Sequence, residues 1–524
     1  MASRVPSTPS SGVAPPSASV DGKTGGPNLS LETSLDTAKT FAKTILPSFY
    51  ERVSRNIESS GAARLDSGAR LGTRAEFWAA FQFWAGCNVS PLNVVLGSLG
   101  ILQFKLDPLE TFAIVVVASV IGAMATGLIA QYGPPSGLRT MMIARFTHGW
   151  YASRIVCILN AFALVAFLVI DTISCRDILL VFIPHKPHIS TIVVAVLGSL
   201  ATSAAAAGGA TLEFLARWSW RPQLISMAVL VGGCLAMINT ADESPPSDPD
   251  GRPGTTLHGR IGYGALVCNA LLAFSLAGTD FSHAFCATSS RWKVVSGPAA
   301  GLASSHIAFV LAGVAVGEAA RRDDVLAHAF IKSPATLIGS SLQRLGPIGT
   351  LCAVFFVVGS FGAISAGTYV AAVPIGPVCN RYDRWTRVAS VAFVGMTVMI
   401  SAHVGRGDLQ TIAQSIVSIV GSLVLVWWIP SIADLGLIRH DAPCWSDWNV
   451  PSRLPCRRAT LLASAVGTTC AILTIDQPWY TGPLARASGP AEQYVSTRVL
   501  GLAIPLADRG FRSACSRHLA RLLS

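Results

Sequence analysis

From about Phe77 onward the chain is a succession of apolar runs, most of them near the roughly 20 residues that carry an α-helix across a hydrocarbon core. They lie near 78–102, 111–132, 152–174, 189–208, 222–238, 261–280, 294–317, 348–373, 387–403, 411–430, 459–475 and 495–508. The fifth and ninth are short, and the last is short and carries Arg498. Two runs interrupt the apolar pattern. FWAGCNVSPLNVVLGSLG (Phe83 to Gly100) holds Asn88, Ser90, Pro91 and Asn93 in its middle. LLAFSLAGTDFSHAF (Leu271 to Phe285) holds Gly278, Thr279 and Asp280 near its end. Lipid cannot solvate free backbone groups, so a broken helix survives only where protein or a cavity satisfies them. One broken helix in each half of a chain points to the binding site of a secondary transporter.

Composition fits a polytopic membrane protein. Of 524 residues, 51% are hydrophobic and 13% charged, against roughly 25% charged in soluble domains. Residues 1–75 form an N-terminal tail, rich in Ser, Pro, Gly and Thr up to about 35, a composition that predicts disorder. The first apolar run starts so far into the sequence that no cleavable leader is expected. The net charge of +11 is read as topology, because no basic patch is interleaved with aromatics as in a nucleic-acid partner site. Twelve cysteines form no CxxC pair, and most sit in apolar runs, where Cys acts as a small hydrophobe. His185 and His188 make an HxxH with no further ligands nearby, so neither a metal nor another cofactor is expected. The sequence holds no P-loop, GxGxxG, HExxH or GxSxG, which argues against an ATP-driven pump and against an enzyme. A carrier built this way runs on an ion gradient.

Basic residues give the orientation. Arg52, Arg55, Arg64, Arg70 and Arg74 precede the first run, and Arg509, Arg512, Arg517 and Arg521 follow the last. Asp242, Glu243, Asp248 and Asp250 fill the segment between the fifth and sixth runs. By the positive-inside rule both termini are cytoplasmic, although Arg321 and Arg322 fall on the expected outer side.

Several local motifs occur in a fixed order: IESSGAARL (Ile57 to Leu65), GPPSGLRTMMIARFTHGWY (Gly133 to Tyr151), LEFLARWSW (Leu212 to Trp220), GTDFSHAF (Gly278 to Phe285), SDWNVPSRLP (Ser446 to Pro455) and QPWYTGPLA (Gln477 to Ala485). Over roughly residues 50–510 the chain resembles the fungal-type purine–cytosine permease branch of the nucleobase:cation symporter-1 family. The resemblance implies an all-α integral membrane protein of the leucine-transporter type, with two inverted repeats of five helices and two extra helices. The transporter domain then covers 76–510, with repeat one about 78–238, repeat two about 261–430 and the extra helices about 459–508; 511–524 is a cytoplasmic C-terminal tail.

The resemblance also places the site. Family members sandwich a flat heterocycle between rings of the third and sixth helices, and the matching positions here are Phe167 and Phe274. Asn88 matches an Asn of the broken first helix, which places it to bond the edge of a ligand or, through carbonyls nearby, to help hold a cation; the plainer alternative is an interhelical hydrogen bond. Asp171 lies one turn beyond Phe167 on the same face, where relatives usually carry Asn. It suits a cationic or amine-rich ligand or a proton, or it pairs with Arg176. Asp280 and Glu213 match acidic residues that would couple a cation or proton, and Glu213 has Arg217 four residues on as a simple ion-pair partner. Arg139 and Arg145 read as anchors. The Asn-rich stretch of the eighth helix is replaced by Ala363, Ile364, Ser365 and Ala366, and the tenth carries Ser415 for Asn. Ser365 is therefore the edge-reading candidate left on the eighth helix, and a site that drops polar readers changes what it accepts.

The expectation is a plasma-membrane importer of a nucleobase or similar small heterocycle, coupled to a cation, with H+ favoured. The alternatives are a vitamin carrier of the same fold (pyridoxine or thiamine) and a transport-inactive membrane receptor.

Overall fold

Ser90 and Pro91 split the first apolar run into two helices, α1 (Phe77–Cys87) and α2 (Pro91–Leu102), bent by 68°. Pro91 has no N–H to lose at the first helical position, and Ser90, in extended conformation, caps α2 by accepting from the Leu92 amide at 3.0 Å. The structure, a computed structural model, describes residues 63–65, 77–183, 187–240, 257–405, 409–438, 443–454, 457–477 and 480–487. The expected twelfth span, the C-terminal tail, nearly all of the N-terminal tail, His185 and most of the acidic segment lie outside the described residues.

The chain continues through α3 (Pro108–Ala130), α4 (Thr140–Leu180), α5 (Pro187–Ala207), α6 (Gly209–Trp218), α7 (Trp220–Thr240) and α8 (Leu257–Leu272). α8 tightens into a 3-10 segment, Ala273–Ala277, before the chain turns away at Gly278. Then follow α9 (Arg291–Arg321), α10 (Asp324–Lys332), α11 (Pro334–Gln343), α12 (Gly346–Ala372), α13 (Arg384–Val404), α14 (Leu409–Ala433) and α15 (Arg458–Thr474). A hairpin of two-residue strands, Asp476–Gln477 with Tyr480–Thr481, and a short helix, Pro483–Ala487, close the described part. Among the described residues nine helices are long and apolar enough to span a membrane, ten with the bent α1–α2 pair, and α15 is a shorter apolar helix. The first eleven expected spans are thus all present as helices. Of α1 to α15, the helices that the apolar pattern did not predict are α6, between the fourth and fifth spans, and α10 and α11, between the seventh and eighth.

α9 organises one group of helices: α1, α2 and α3 all pack on it, and α8 packs on α3. A second group joins α4, α5, α12 and α13. The seam between α9 and the first span is made by small residues four apart. Gly297, Gly301, Ser305, Gly313 and Gly317 line one face of α9, because side chains four apart stack on one side of a helix. A Cβ on Gly301 would lie 2.4 Å from the Phe81 carbonyl oxygen of α1, and one on Gly313 2.0 Å from that of Val94 in α2. From the other side, a Cβ on Gly97 would meet the Val310 carbonyl oxygen at 1.9 Å. Such close backbone approach is how helices gain van der Waals contact where lipid supplies no hydrophobic drive.

α4 is interrupted at Gly149, with φ 81° and ψ 178°. That region is essentially open to glycine alone and costs about 1–3 kcal/mol for other residues. Gly149→Ala should therefore lower the melting temperature of the purified protein in detergent, and an unchanged melt would show that the kink can relax. Arg145, 1% exposed, holds this corner. It donates to the Tyr382 hydroxyl at 2.7 Å and the Trp448 carbonyl at 3.2 Å, and stacks 4.1 Å over Trp150. The anchoring role expected for it is what the contacts describe.

The two arginines that offend the charge rule are neutralised locally. Glu318 accepts from Arg321 at 2.7 Å and from Arg322 at 3.2 Å, and Arg322 also donates to the Ile238 carbonyl. Nearby, Asp323 caps α10 and pairs with Arg344. Burial opposes its ionisation, but the bonds from Arg344 and the Leu326 and Val325 amides outweigh it and hold the carboxyl below the usual carboxylate range. This clasp is present above the ordinary carboxylate range and is lost only as pH falls below it.

Candidate functional site

The breaks in the first and sixth spans meet at a cavity of about 90 Å³. The first span contributes Trp84, Cys87, Asn88, Ser90 and Asn93; α4 contributes Phe167 and Asp171; the sixth contributes Phe274 and Phe281; α12 supplies the small residues Ala363, Ala366 and Gly367. Four of the expected site residues, Asn88, Phe167, Asp171 and Phe274, are thus brought to one wall system. Phe167 and Asp171 reach it together because i and i+4 share a helix face.

The unwound turn is held by its own side chains. The Asn88 amide nitrogen donates to Ser305 Oγ at 3.0 Å and to the Leu302 carbonyl at 3.3 Å, both on α9. The Asn93 amide nitrogen donates to the Asn88 carbonyl at 2.6 Å and to Asn88 Oδ1 at 3.4 Å. The Asn93 bond satisfies one backbone carbonyl that the break sets free. The interhelical bond and the cavity position of Asn88 coexist. Ser90 donates its hydroxyl to Asp171 Oδ1, which joins the first span to the third. Arg176 instead pairs with Asp177 at 2.7 Å, so the alternative partner considered for Asp171 is engaged elsewhere.

Aromatic rings pack around the cavity in edge-on fashion. Trp84, 3% exposed, meets Phe274 with ring centroids 6.4 Å apart at 79° and Phe281 at 5.7 Å and 87°. Phe83 lies 4.0 Å from Phe281. T-shaped pairs of this kind place ring edges against faces and fix one another's orientation. Sequence reasoning passed over Trp84 and Phe281. The signal available for Trp84 was its place four residues before Asn88, in the last turn of α1 beside the break.

Three expected residues lie elsewhere. Ser365 is fully buried but donates to the Phe361 carbonyl at 2.7 Å, and the α12 positions on the cavity are Ala363, Ala366 and Gly367. Glu213 is exposed on α6, and among the described residues it makes no ion pair with Arg217. Solvation of two exposed charges competes with a helix-surface pair worth only about 0.3–0.5 kcal/mol. Asp280 is 3% exposed and sits off the cavity wall. Its Oδ1 accepts from the Thr140 amide at 2.8 Å, at the start of α4, while Thr140 and Thr279 hydroxyls meet at 3.0 Å. It thereby caps a helix from another segment, and a carboxylate is favoured at that positive end. Arg139, beside it, donates to the Tyr369 hydroxyl of α12 at 2.6 Å. Together these bonds tie the sixth span, α4 and α12 across one end of the helix group. Among the described residues no cluster of His, Cys, Asp or Glu could hold a metal ion.

Two spans broken beside one aromatic cavity, with the carrier helices grouped around it, define a membrane transporter of the leucine-transporter type. The chain belongs to the family of permeases for cytosine/purines, uracil, thiamine and allantoin, which matches residues 72–374. It is 22% identical over 452 residues to the purine-cytosine permease fcyB of Emericella nidulans, covering 84% of this chain and 86% of that one. It is 19% identical over 425 residues to the purine-cytosine permease FCY2 of Saccharomyces cerevisiae, covering 78% and 77%. Its fold is shared with Mhp1, a nucleobase-cation-symport-1 family transporter solved in a closed conformation with bromovinylhydantoin bound: TM-score 0.59, 12% identity, 86% of this chain and 95% of that one. The expected fold class and the expectation of a carrier in place of an enzyme both stand on this membership.

Proposed function

We propose that the chain imports a nucleobase, cytosine or a purine, or a related small heterocycle, by proton symport across the plasma membrane, with both termini cytoplasmic. The observation that carries this reading is the cavity at the paired breaks, with Phe167, Phe274 and Trp84 for a flat ring and Asn88 and Asp171 for its edge. Stacking on an aromatic face is worth about 1–3 kcal/mol per base where it has been measured by truncation. The arginine-rich segments that flank the spans favour the cytoplasmic side for Arg139. In that orientation the Arg139–Tyr369 bond closes the inner end, and release requires it to open. Substrate and proton together favour the inward state; each alone favours it less, which is a coupling free energy between two bound species.

Uptake of labelled cytosine and adenine into proteoliposomes under an imposed pH gradient tests this directly. Accumulation that collapses with a protonophore is expected. Binding without flux would make the protein a receptor, and competition by pyridoxine or thiamine but not by bases would make it a vitamin carrier. Phe274→Ala should weaken ligand affinity by roughly 5- to 150-fold, the equivalent of the stacking term, with normal surface expression. Wild-type kinetics in that variant would remove Phe274 from the site.

A further inference from the structure

The start of the fifth span carries a charged and aromatic face that the cavity does not use. Ser219, between α6 and α7, keeps helical φ and ψ of −64° and −32°, and the two helices run on as one span, Thr211–Asn239, of 29 residues. At 1.5 Å per residue that is about 43 Å, well beyond the roughly 30 Å of a hydrocarbon core. One outward face holds Phe214, Arg217, Trp218 and Arg221, at helical spacings of three and four. Phe214 and Trp218 are 63% and 53% exposed. One turn further the outward side becomes aliphatic, with Leu224 and Ile225 exposed. Aromatic and basic residues giving way to aliphatic ones mark the level of the headgroups. The other exposed tryptophans among the described residues, Trp78, Trp292 and Trp385, stand in the first turns of the first, seventh and ninth spans. Consecutive spans alternate in direction, so all four tryptophans lie at one end of the bundle.

The two arginines of this face are left uncompensated. The Arg221 guanidinium lies 3.8 Å over the Trp218 ring, and its Nη1 is buried with no hydrogen-bond partner. Arg217 is exposed, and among the described residues neither arginine pairs with an acid, Glu213 included. A guanidinium laid flat on a ring keeps its N–H edge for an acceptor, and its planar fork matches the oxygens of a phosphate.

The inner side of the same helix touches both walls of the cavity. Gly86, next to Cys87 of the lining, has no room for a Cβ against the Ala216 carbonyl, and Gly362, next to Ala363 of the lining, has none against Ser219. We propose that Phe214, Arg217, Trp218 and Arg221 form a binding site for the headgroup of an anionic phospholipid in the surrounding leaflet, and that the bound headgroup holds α6 against α1 beside the break. The two guanidiniums share the phosphate, while the rings rest at the top of the acyl chains. A choline headgroup brings its own cation toward the arginines, so selection falls on headgroups of net negative charge. The site rests on the membrane class of the protein and is independent of the substrate.

Calorimetric titration of the full-length protein in neutral detergent with dihexanoyl phosphatidylglycerol, dihexanoyl phosphatidylcholine and inorganic phosphate tests this. The anionic lipid should bind at least tenfold tighter than either of the others. Arg217→Gln and Arg221→Gln should each weaken it about fivefold, the equivalent of about 1 kcal/mol per cation at a membrane surface. Arg291→Gln combined with Lys293→Gln removes two charges flanking Trp292 at the same end and should leave the affinity unchanged. Amide exchange over residues 77–87 should slow when the anionic lipid is added. Equal binding of the two lipids, or an equal loss in the Arg291 and Lys293 control, would overturn the site. Phosphate binding as tightly as the lipid would make it a site for free anions and overturn the lipid assignment. Unchanged exchange in α1 at saturating lipid would overturn the link to the break. The wild-type series decides the matter even where an arginine variant fails to fold.

Discussion

Gly313→Leu is expected to leave little folded carrier. The position faces the Val94 backbone, and a Cβ there would sit 2.0 Å from a carbonyl oxygen and 2.9 Å from the Gly97 Cα. Neither neighbour is a flexible side chain that can turn aside. Ordinary overpacking costs about 1–3 kcal/mol; here α2 must leave α9, and the cost lies at or beyond that range. Size-exclusion of a fluorescent fusion from solubilised membranes reads the outcome as loss of the monodisperse peak. Gly232→Leu is the control, since a Cβ at Gly232 in α7 meets nothing within 4 Å. A normal peak for Gly313→Leu would mean that the seam is not tight.

The second large effect is expected at Asp280. Asp280→Ala removes the acceptor of the Thr140 amide and the negative partner of Arg139, itself 2% exposed. Removing a carboxylate from beside a buried guanidinium costs up to roughly 3–5 kcal/mol, although Arg139 keeps its bond to the Tyr369 hydroxyl. Asp280→Asn keeps an oxygen for the amide and should lose less. The melting temperatures of the two purified variants separate the roles: a large drop for Ala and a small one for Asn marks a helix cap. Equal, negligible drops combined with loss of gradient-driven uptake would return Asp280 to the coupling role first assigned to it.

Much of this was legible in the chain, for identifiable reasons. Pro91 cannot donate, and Ser90 and Asn88 compete with the backbone for hydrogen bonds, so a break in an otherwise apolar run announced itself. Phe167 and Asp171 are one turn apart, so their shared face followed from periodicity. The sixth-span break was legible from Gly278, Thr279 and Asp280, although the 3-10 tightening at Ala273–Ala277 begins earlier than those residues suggest. What escaped depended on helix phase and on partners distant in sequence. Ser365 differs from Ala363 by two positions, about half a turn, and so faces Phe361. Trp84 reads as one more apolar residue until its neighbours across the break are known. Asp280 reads as a mid-membrane acid, and only Thr140, from another span, shows it capping α4. Helices α10 and α11 are short, nine and ten residues, so they carry no spanning signal.

The seam on α9 has a mechanical consequence. Both pieces of the first span are riveted along one continuous rod, through Phe81 below the bend and Val94 above it. The 68° corner between them therefore behaves as a welded joint, and it cannot flex while the rod stays straight.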